Sequence, residues 1–420
     1  MGSQLQKTIV CIGTLDTKGS EIQYVKNIIE QRGHRVLLID DGILGAPTIS
    51  ADISRGDVAI AAGCTLEQIR GMGSEIKALE MMTEGLCKIV KHLYQSGNLD
   101  GVISMGGGMG TSMATAAMRE LPLGIPKLMV STKVAQSGVA KVYMGAKDIT
   151  MVSSVADIAG LNRLTKKIAA NAAGAIVGMV ESLEVEIGDN PLVVMSMNGT
   201  TTKCGSKVMS ILEGEKYEVV VFHSIGVGGR ALEEFVRNES VEGVIELGLN
   251  EIGNELFGGL AKAGPNRLEA AGERGILQII TLGSVDFINF LGPETVPPQY
   301  KDRNLMYHNP QATTLRLNRD EMRLVAEVIA EKLNRANAPV KVLIPTRGFS
   351  SWDHEGKSFY DPDADKIFID SLKRSLHPSI MVSEIDAHIN DEQFAEAIVE
   401  EFCKRARGEE ITIGSRKGGL

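Results

Sequence analysis

Aromatic side chains are scarce in this 420-residue chain, at 4% with a single tryptophan, Trp352, so its cores have to be aliphatic. Cysteine is scarce too, and badly spaced for covalent or metal work. The five cysteines stand at positions 11, 64, 87, 204 and 403. The number is odd and no C-x-x-C pair occurs, which excludes a disulfide framework and a zinc cluster and describes a reduced, cytoplasmic protein. Cys11 and Cys204 flank candidate loops, yet such thiols are ordinarily small buried hydrophobes. Positive charge is in deficit: 44 Lys and Arg against 53 Asp and Glu give a net charge of −9. That argues against a nucleic-acid-binding surface and leaves room only for a local basic pocket. Long apolar runs are missing as well. The longest small-apolar run, "IAANAAGAIVGMV" at 168–180, is too short to span a bilayer and follows Lys166 and Lys167. Its Ala and Gly content suits close packing on another helix or a second subunit. The first residues lead straight into a strand pattern, so no signal peptide and no membrane contact are expected.

What the chain has is length and glycine. With 420 residues, 43% hydrophobic and 23% charged, it reads as a soluble globular protein of two domains or three. Its 46 glycines favour many tight βα turns. Short β-branched runs alternate with helical patterns. "TIVCIG" (8–13) is a buried strand, "SEIQYVKNIIEQRG" (20–33) a helix ending at Gly33, and "HRVLLIDDG" (34–42) the next strand. A long helical pattern covers 65–94, a strand, glycine loop and helix are expected in turn over 100–121, and further strands at 126–133 and near 140–144. From about residue 190 the order of parts repeats: strand and Gly-Thr loop at 191–212, strand and glycine loop at 217–236, then "VEGVIELGLNE" echoing "LDGVISMGGGM". The first copy carries an insertion around 43–96. The pattern predicts an α/β fold of two Rossmann-like, doubly wound domains with mainly parallel sheets, residues 1–185 and 186–420. Further strands are expected at 340–348 and 379–389, separated by the polar "SSWDHEGKSFYDPDAD", a surface loop or a cover over a site.

Ligands of parallel sheets gather at the C-terminal strand ends, where the βα loops lie. The first domain offers two such loops. "CIGTLDTKGSEI" (11–22) resembles a phosphate loop with its Gly-Lys order reversed, since Lys18 precedes Gly19. A Lys18 that contacts phosphate would do so in another geometry. An aspartyl-phosphate reading needs Asp16 directly at the strand end, but Gly13, Thr14 and Leu15 intervene. Asp16 is then a helix cap, or a contact to magnesium or ribose. The second loop, "SMGGGMGTS" (104–112), places Gly106, Gly107, Gly108 and Gly110 before Thr111 and Ser112, where a helix begins. Glycines let a ligand approach the backbone, and free N–H groups at a helix start attract anions. The stretch 146–162, with Asp148, Ser153, Ser154, Asp157 and Asn162, is expected at the same rim.

The second domain carries a different chemistry. "FHSIGVGGRALEE" (222–234) sets His223 at a strand end before glycines and Arg230. Other candidates are Glu246, Asn250, Glu251, Arg267, Asp286, Asn289, His308 and Asn309, with Asp386, His388, Asn390 and Asp391 in "DAHIND". His223, His388 and Asp286 are the candidates for acid–base catalysis. No compact metal spacing occurs there.

Taken together, "GTLDTKG", "GGGMGTSMA", "DIAGLN", "GVGGRALEE", "AGPNRLEAAGERG" and "HNPQATTLR" resemble the bacterial relatives of the tomato mosaic virus resistance protein and the N-terminal ATP-binding region of that protein. The resemblance covers nearly the whole chain. It implies two Rossmann-like domains, assembly as a homodimer or higher homo-oligomer, and binding of ATP with magnesium. Carried to this sequence, it puts the nucleotide on Thr14, Asp16, Thr17, Lys18, Gly106–Gly108, Gly110, Thr111 and Ser112, with Asp16 helping to hold magnesium. "ELGLNE" and "TLGSVDF" depart from the family pattern in the second domain. Three functions follow as expectations. The first is ATP-dependent phosphoryl or nucleotidyl transfer, or activation of a small polar or acidic metabolite, in a cleft between the domains. The second is a nucleotide-dependent regulatory or scaffold protein without turnover. The third is an ATP-independent lyase or isomerase acting on a sugar acid.

Overall fold

A computed structural model describes residues 5–136, 138–182, 188–309 and 312–408. The His308 and Asn309 side chains lie outside that description. Two compact units divide the chain, Met1–Glu186 and Ile187–Leu420. In the first unit the elements run β1 (Thr8–Gly13), α1 (Leu15–Gln31), β2 (Arg35–Asp40), α2 (Arg55–Ala61), α3 (Leu66–Arg70), α4 (Glu75–Gln95), β3 (Gly101–Gly106), α5 (Gly108–Arg119), β4 (Lys127–Ser131), α6 (Val139–Met144), β5 (Thr150–Ser153) and α7 (Arg163–Val180). The strands form one parallel sheet in the order β2-β1-β3-β4-β5. Alternate residues of β1 feed opposite faces, as a period of two requires. Ile9 and Cys11 enter a core with α1 and α7, while Val10 and Ile12 enter one with α4 and α5. Burial on both faces explains the unbroken apolar strand "TIVCIG".

Several elements differ from expectation. Helix α1 begins at Leu15, so Asp16, Thr17 and Lys18 are its first turn, not a loop. The pattern at 65–94 is broken at Gly71–Gly73 into α3 and α4, and each part starts on its own side-chain cap, Thr65 and Ser74. Residues 139–144 are helical, and the edge strand is β5. The small-residue helix α7 packs Ala169, Ala173 and Val177 on Ile22, Val25 and Ile29 of α1 inside the unit.

The second unit runs β6 (Leu192–Met197), α8 (Thr202–Gly214), β7 (Glu218–His223), α9 (Val227–Asn238), β8 (Gly243–Glu246), α10 (Asn250–Phe257), α11 (Ala270–Arg274), β9 (Leu277–Ile280), β10 (Phe287–Phe290), β11 (Leu305–Asn309), β12 (Ala312–Arg316), α12 (Arg319–Asn334), β13 (Val340–Pro345), α13 (Pro362–Ser375), β14 (Met381–Ile385) and α14 (Glu392–Ala406). Its parallel sheet has the order β14-β13-β9-β8-β6-β7. Counted from β6 this is 2-1-3-4-5-6, the winding of the first unit with one more strand. A small antiparallel sheet, β10-β12-β11, is inserted between β9 and β13 and was not anticipated. The starts of α12 and α13 follow their caps: Asn318 with Glu321 form a capping box, and Asp361 precedes Pro362 at the first helical position. Burial pushes the Cys11 and Cys204 thiols up to about 12, so both behave as small hydrophobes. Among the described residues, no helix is long and apolar enough to cross a membrane.

Candidate functional site

In the first sheet the chain moves from β1 outward to β2, then returns across β1 to β3. Ligands of doubly wound sheets sit at the carboxyl ends of the two strands where the order reverses. A cavity of about 610 Å³ opens there, lined by Thr14, Asp16, Thr17, Asp41, Ile43, Leu44, Gly45, Ile69, Arg70, Gly73, Ser74, Glu75, Ala78, Leu79, Met109 and Met113. The β1 and β3 ends adjoin: a Cβ added to Gly110 would stand 3.7 Å from Thr14 Oγ1. The apolar wall comes largely from the 43–96 insertion, which the sequence marks only as an interruption of the repeat. Leu44 and Met109 are exposed apolar residues of its lining.

Three carboxylates line the cavity, Asp16, Asp41 and the exposed Glu75, and the first two have buried oxygens. Asp16 Oδ2 accepts from the Gly45 N–H at 2.7 Å and lies 3.7 Å from the Arg55 guanidinium, while its Oδ1 is buried without a partner. Asp41, just past β2, is fully buried. Its Oδ1 accepts from Thr14 Oγ1 at 2.7 Å, and its Oδ2 has no partner. Burial pushes the Asp41 carboxyl up to about 7; the Thr14 bond opposes this, and the nearby Asp40 and Asp16 charges add to it. Below it, Arg55 holds Asp40 at 2.6 Å. Arg70 clamps the loop after β2, donating to the Ile43 and Leu44 carbonyls at 2.6 and 3.0 Å.

The glycine run makes the strand-to-helix turn. Gly106 ends β3, Gly107 caps α5 with no side chain bonded to the helix end, and Gly108 is already helical. The first N–H groups of α5 therefore lack an intrahelical partner. Gly107 has an ordinary extended backbone, and a Cβ there would meet nothing within 4 Å. Lys133 runs beside the turn, its Cε 3.3 Å from a Cβ added to Gly108.

Other expected contacts fall away. Lys18 does not line the cavity, because its ammonium donates to the Ile158 carbonyl. Gly19 has a packing reason: a Cβ there would lie 2.0 Å from Thr48 Oγ1. Thr111 is buried inside α5, 2.7 Å from Ser131 Oγ. Ser112, also within α5, is not among the residues that line the cavity.

In the second unit the glycine motif "GVGG" is filled from within. Glu251 Oε1 accepts from the Gly226 and Gly229 N–H groups at 2.6 and 3.1 Å, where a phosphate oxygen would sit in a nucleotide loop. A Cβ on Gly229 would stand 2.0 Å from Glu251 Oε2. Arg267 holds this carboxylate at 2.7 Å and also binds Glu246 and Glu233. The paired motifs "GVGGRALEE" and "PNRLEAAGERG" thus encode a buried ion cluster.

The expected catalytic residues of this unit separate. His223 ends β7, exposed at the rim of a cavity of about 540 Å³. His388 is fixed: Nε2–H donates to the Ser350 carbonyl at 2.9 Å and Nδ1 accepts from the Asn390 N–H at 3.1 Å. Burial lowers its pKa, so both ring nitrogens are occupied in the neutral form, which argues against a catalytic base. Asp286 is fully buried and lines none of the described cavities. It accepts from Ser350 Oγ at 2.8 Å, and burial together with Asp353 pushes it up to about 7 against the pull of Arg316. Such burial argues against a base that meets substrate. The segment 351–365 does line a cavity, a second one of about 770 Å³ with Lys203, Arg347, His388 and Asn390. Among the described residues no cluster of His, Cys, Asp and Glu could hold a metal ion on its own.

Fold and cavities define a protein of two doubly wound α/β units, each with a crevice at its switch point. The chain belongs to the uncharacterised protein family UPF0261, whose N-terminal domain matches residues 7–185 and whose C-terminal domain matches residues 190–406. It is 42% identical over 400 residues to a UPF0261 protein of Clostridium tetani, covering 95% of this chain and 98% of that one. It is 33% identical over 419 residues to the ToMV resistance protein Tm-1(GCR237) of Solanum lycopersicum, covering 94% of this chain and 55% of the plant protein. Among solved structures, an uncharacterized protein from Bacillus cereus matches 84% of this chain and 94% of its own at 12% identity, with a TM-score of 0.27. That likeness carries no information about a ligand.

Proposed function

We propose that the first unit is a nucleotide-binding domain that takes ATP with magnesium. The observation that carries the reading is the pair of buried, unpartnered carboxylate oxygens, Asp16 Oδ1 and Asp41 Oδ2, at one switch-point cavity. A buried polar atom without a partner costs roughly 1–3 kcal/mol, and a ligand supplying a cation or a hydroxyl removes that cost. The residues fit the group. Ile43, Leu44, Ile69, Leu79 and Met113 form an apolar slot for a base. Asp41 follows β2, where doubly wound nucleotide sites keep an acceptor for a ribose hydroxyl. The uncapped start of α5 and Lys133 suit the phosphates, and Asp16 would help hold a magnesium ion, which would offset phosphate charge. Among the described residues the one cation of the lining, Arg70, is bound to Ile43 and Leu44, and Lys18 is bound to Ile158, so Lys133 beside the α5 turn is left as the single cation to meet a phosphate. This favours a nucleotide-dependent binding or regulatory protein over a transferase. Titration calorimetry with ATP and magnesium, followed by a phosphate-release assay, tests it. Binding without release supports the reading, release moves it to an enzyme, and no binding defeats it.

A further inference from the structure

The second sheet has its own switch point, between β6 and β8, and the cavity of about 540 Å³ at His223 opens there. None of its described lining residues is Asp, Glu, Lys or Arg; His223 is the one titratable side chain. An ion buried in such a wall has no counter-charge and is strongly disfavoured. The part of a ligand that sits here is therefore uncharged.

Its polar groups are buried and held in place. Asn198 and Asn250 are 6% and 2% exposed. Asn198 Oδ1 accepts from the Thr200 N–H at 3.0 Å and lies within reach of the Thr200 and Ser284 hydroxyls. Its Nδ2 gives one hydrogen to Asn250 Oδ1 at 3.0 Å, and Asn250 Nδ2 directs one to Asn289 Oδ1 at 3.5 Å. Each amide keeps a second N–H without a partner among the described residues. His223 Nδ1 faces the Met197 carbonyl at 3.2 Å. A carbonyl only accepts, so Nδ1 carries a proton, and in the neutral ring Nε2 is the acceptor. The wall thus offers donors and an acceptor side by side, a pattern that hydroxyl groups match because each both donates and accepts. Phe287, Phe290 and Trp352 supply the apolar part, with the Phe287 and Trp352 rings 5.0 Å apart. The CH faces of a sugar ring pack on such rings.

We infer that this cavity is a binding site for an uncharged, polyhydroxylated ligand, a neutral sugar or polyol. The inference is separate from the nucleotide reading, since it uses no residue of the first unit. Gly199 supplies the test. It lies in the lining, at the border shared with the cavity of about 770 Å³, its backbone is not in the left-handed region, and a Cβ there would meet nothing within 4 Å among the described residues. Gly199→Val should therefore fold normally and obstruct the site. Saturation-transfer NMR on the full chain would use neutral hexoses, pentoses and hexitols, with hexuronic acids and nucleosides as competitors in class. The expected result is transfer to a neutral sugar or polyol that weakens at least about tenfold in Gly199→Val, while the thermal midpoint holds. Transfer only to uronates or nucleosides, transfer unchanged in the variant, or no transfer to any compound overturns the inference.

Discussion

Arg267→Met removes one cation from among three buried glutamates. Arg267 is 1% exposed and binds Glu251 at 2.7 Å, Glu246 at 2.5 Å and Glu233 at 3.1 Å. Glu233 and Glu251 also accept backbone N–H groups, which offset part of their desolvation. Breaking one buried pair costs about 3–5 kcal/mol, and here three carboxylates lose their partner together. The loss should reach the upper end, about 5 kcal/mol, a large fraction of the 5–15 kcal/mol of a typical domain. Burial already raises the Glu233 carboxyl against the pull of Arg267, so without the cation it rises further and the folded variant binds more protons than the unfolded chain. Its stability is therefore greatest at low pH and falls as pH rises through the raised values. Trp352, the single tryptophan, lies in this unit, so urea unfolding followed by its fluorescence reads the unit directly. Arg267→Lys, which keeps the charge but not the forked geometry, should lose less. A loss under about 1 kcal/mol in Arg267→Met, equal at pH 5 and pH 8, would refute the claim that the cluster is a single electrostatic unit.

Asp286 titrates in the fold, not in a reaction. Its folded pKa of about 7 stands above the ordinary carboxylate value of about 4, so its contribution to stability is complete below about pH 4 and is lost as pH rises through 7. Asp286→Asn should accordingly gain thermal stability relative to the parent between pH 5 and pH 8, and a flat difference across that range in scanning calorimetry would count against the assignment. Lys18→Ala should leave ATP affinity within about 0.5 kcal/mol, roughly twofold, because Lys18 points at Ile158. A loss of tenfold or more in calorimetry would return Lys18 to the phosphate.

How far the sequence speaks depends on which forces decide an element. The parallel strands were readable because runs such as "TIVCIG" and "PLVVMSM" are buried on both faces, and the doubly wound order followed from their alternation with helices. The start of α1 was not readable. Thr14 makes no side-chain bond to the helix end, so the usual capping signal is absent and Asp16 to Lys18 passed for a loop. The role of Lys18 was hidden for another reason, since Ile158 lies 140 residues away in sequence. "GVGG" looked like a place for an anion, and it is one, but the anion is Glu251, which only the fold brings there. The β10-β12-β11 sheet escaped because its short strands, such as "FINF", lie among turn residues. Asp41 went unremarked because it is one of two adjacent aspartates at the end of β2, and the sequence does not tell them apart. Its burial and its unpaired oxygen, visible only in three dimensions, make it central to the cavity.

The most direct test of a nucleotide in the first unit is calorimetric titration of the parent chain and Gly107→Val with ATP and magnesium. Among the described residues nothing lies within 4 Å of a Cβ at Gly107, so the substitution costs stability only what a β-branched residue costs at the start of a helix, about 1 kcal/mol, and otherwise affects only a ligand that approaches the α5 turn. The expected result is ATP binding by the parent and at least about a tenfold loss, 1.4 kcal/mol, in the variant. Equal ATP affinity in the two proteins, or none in the parent, would contradict it.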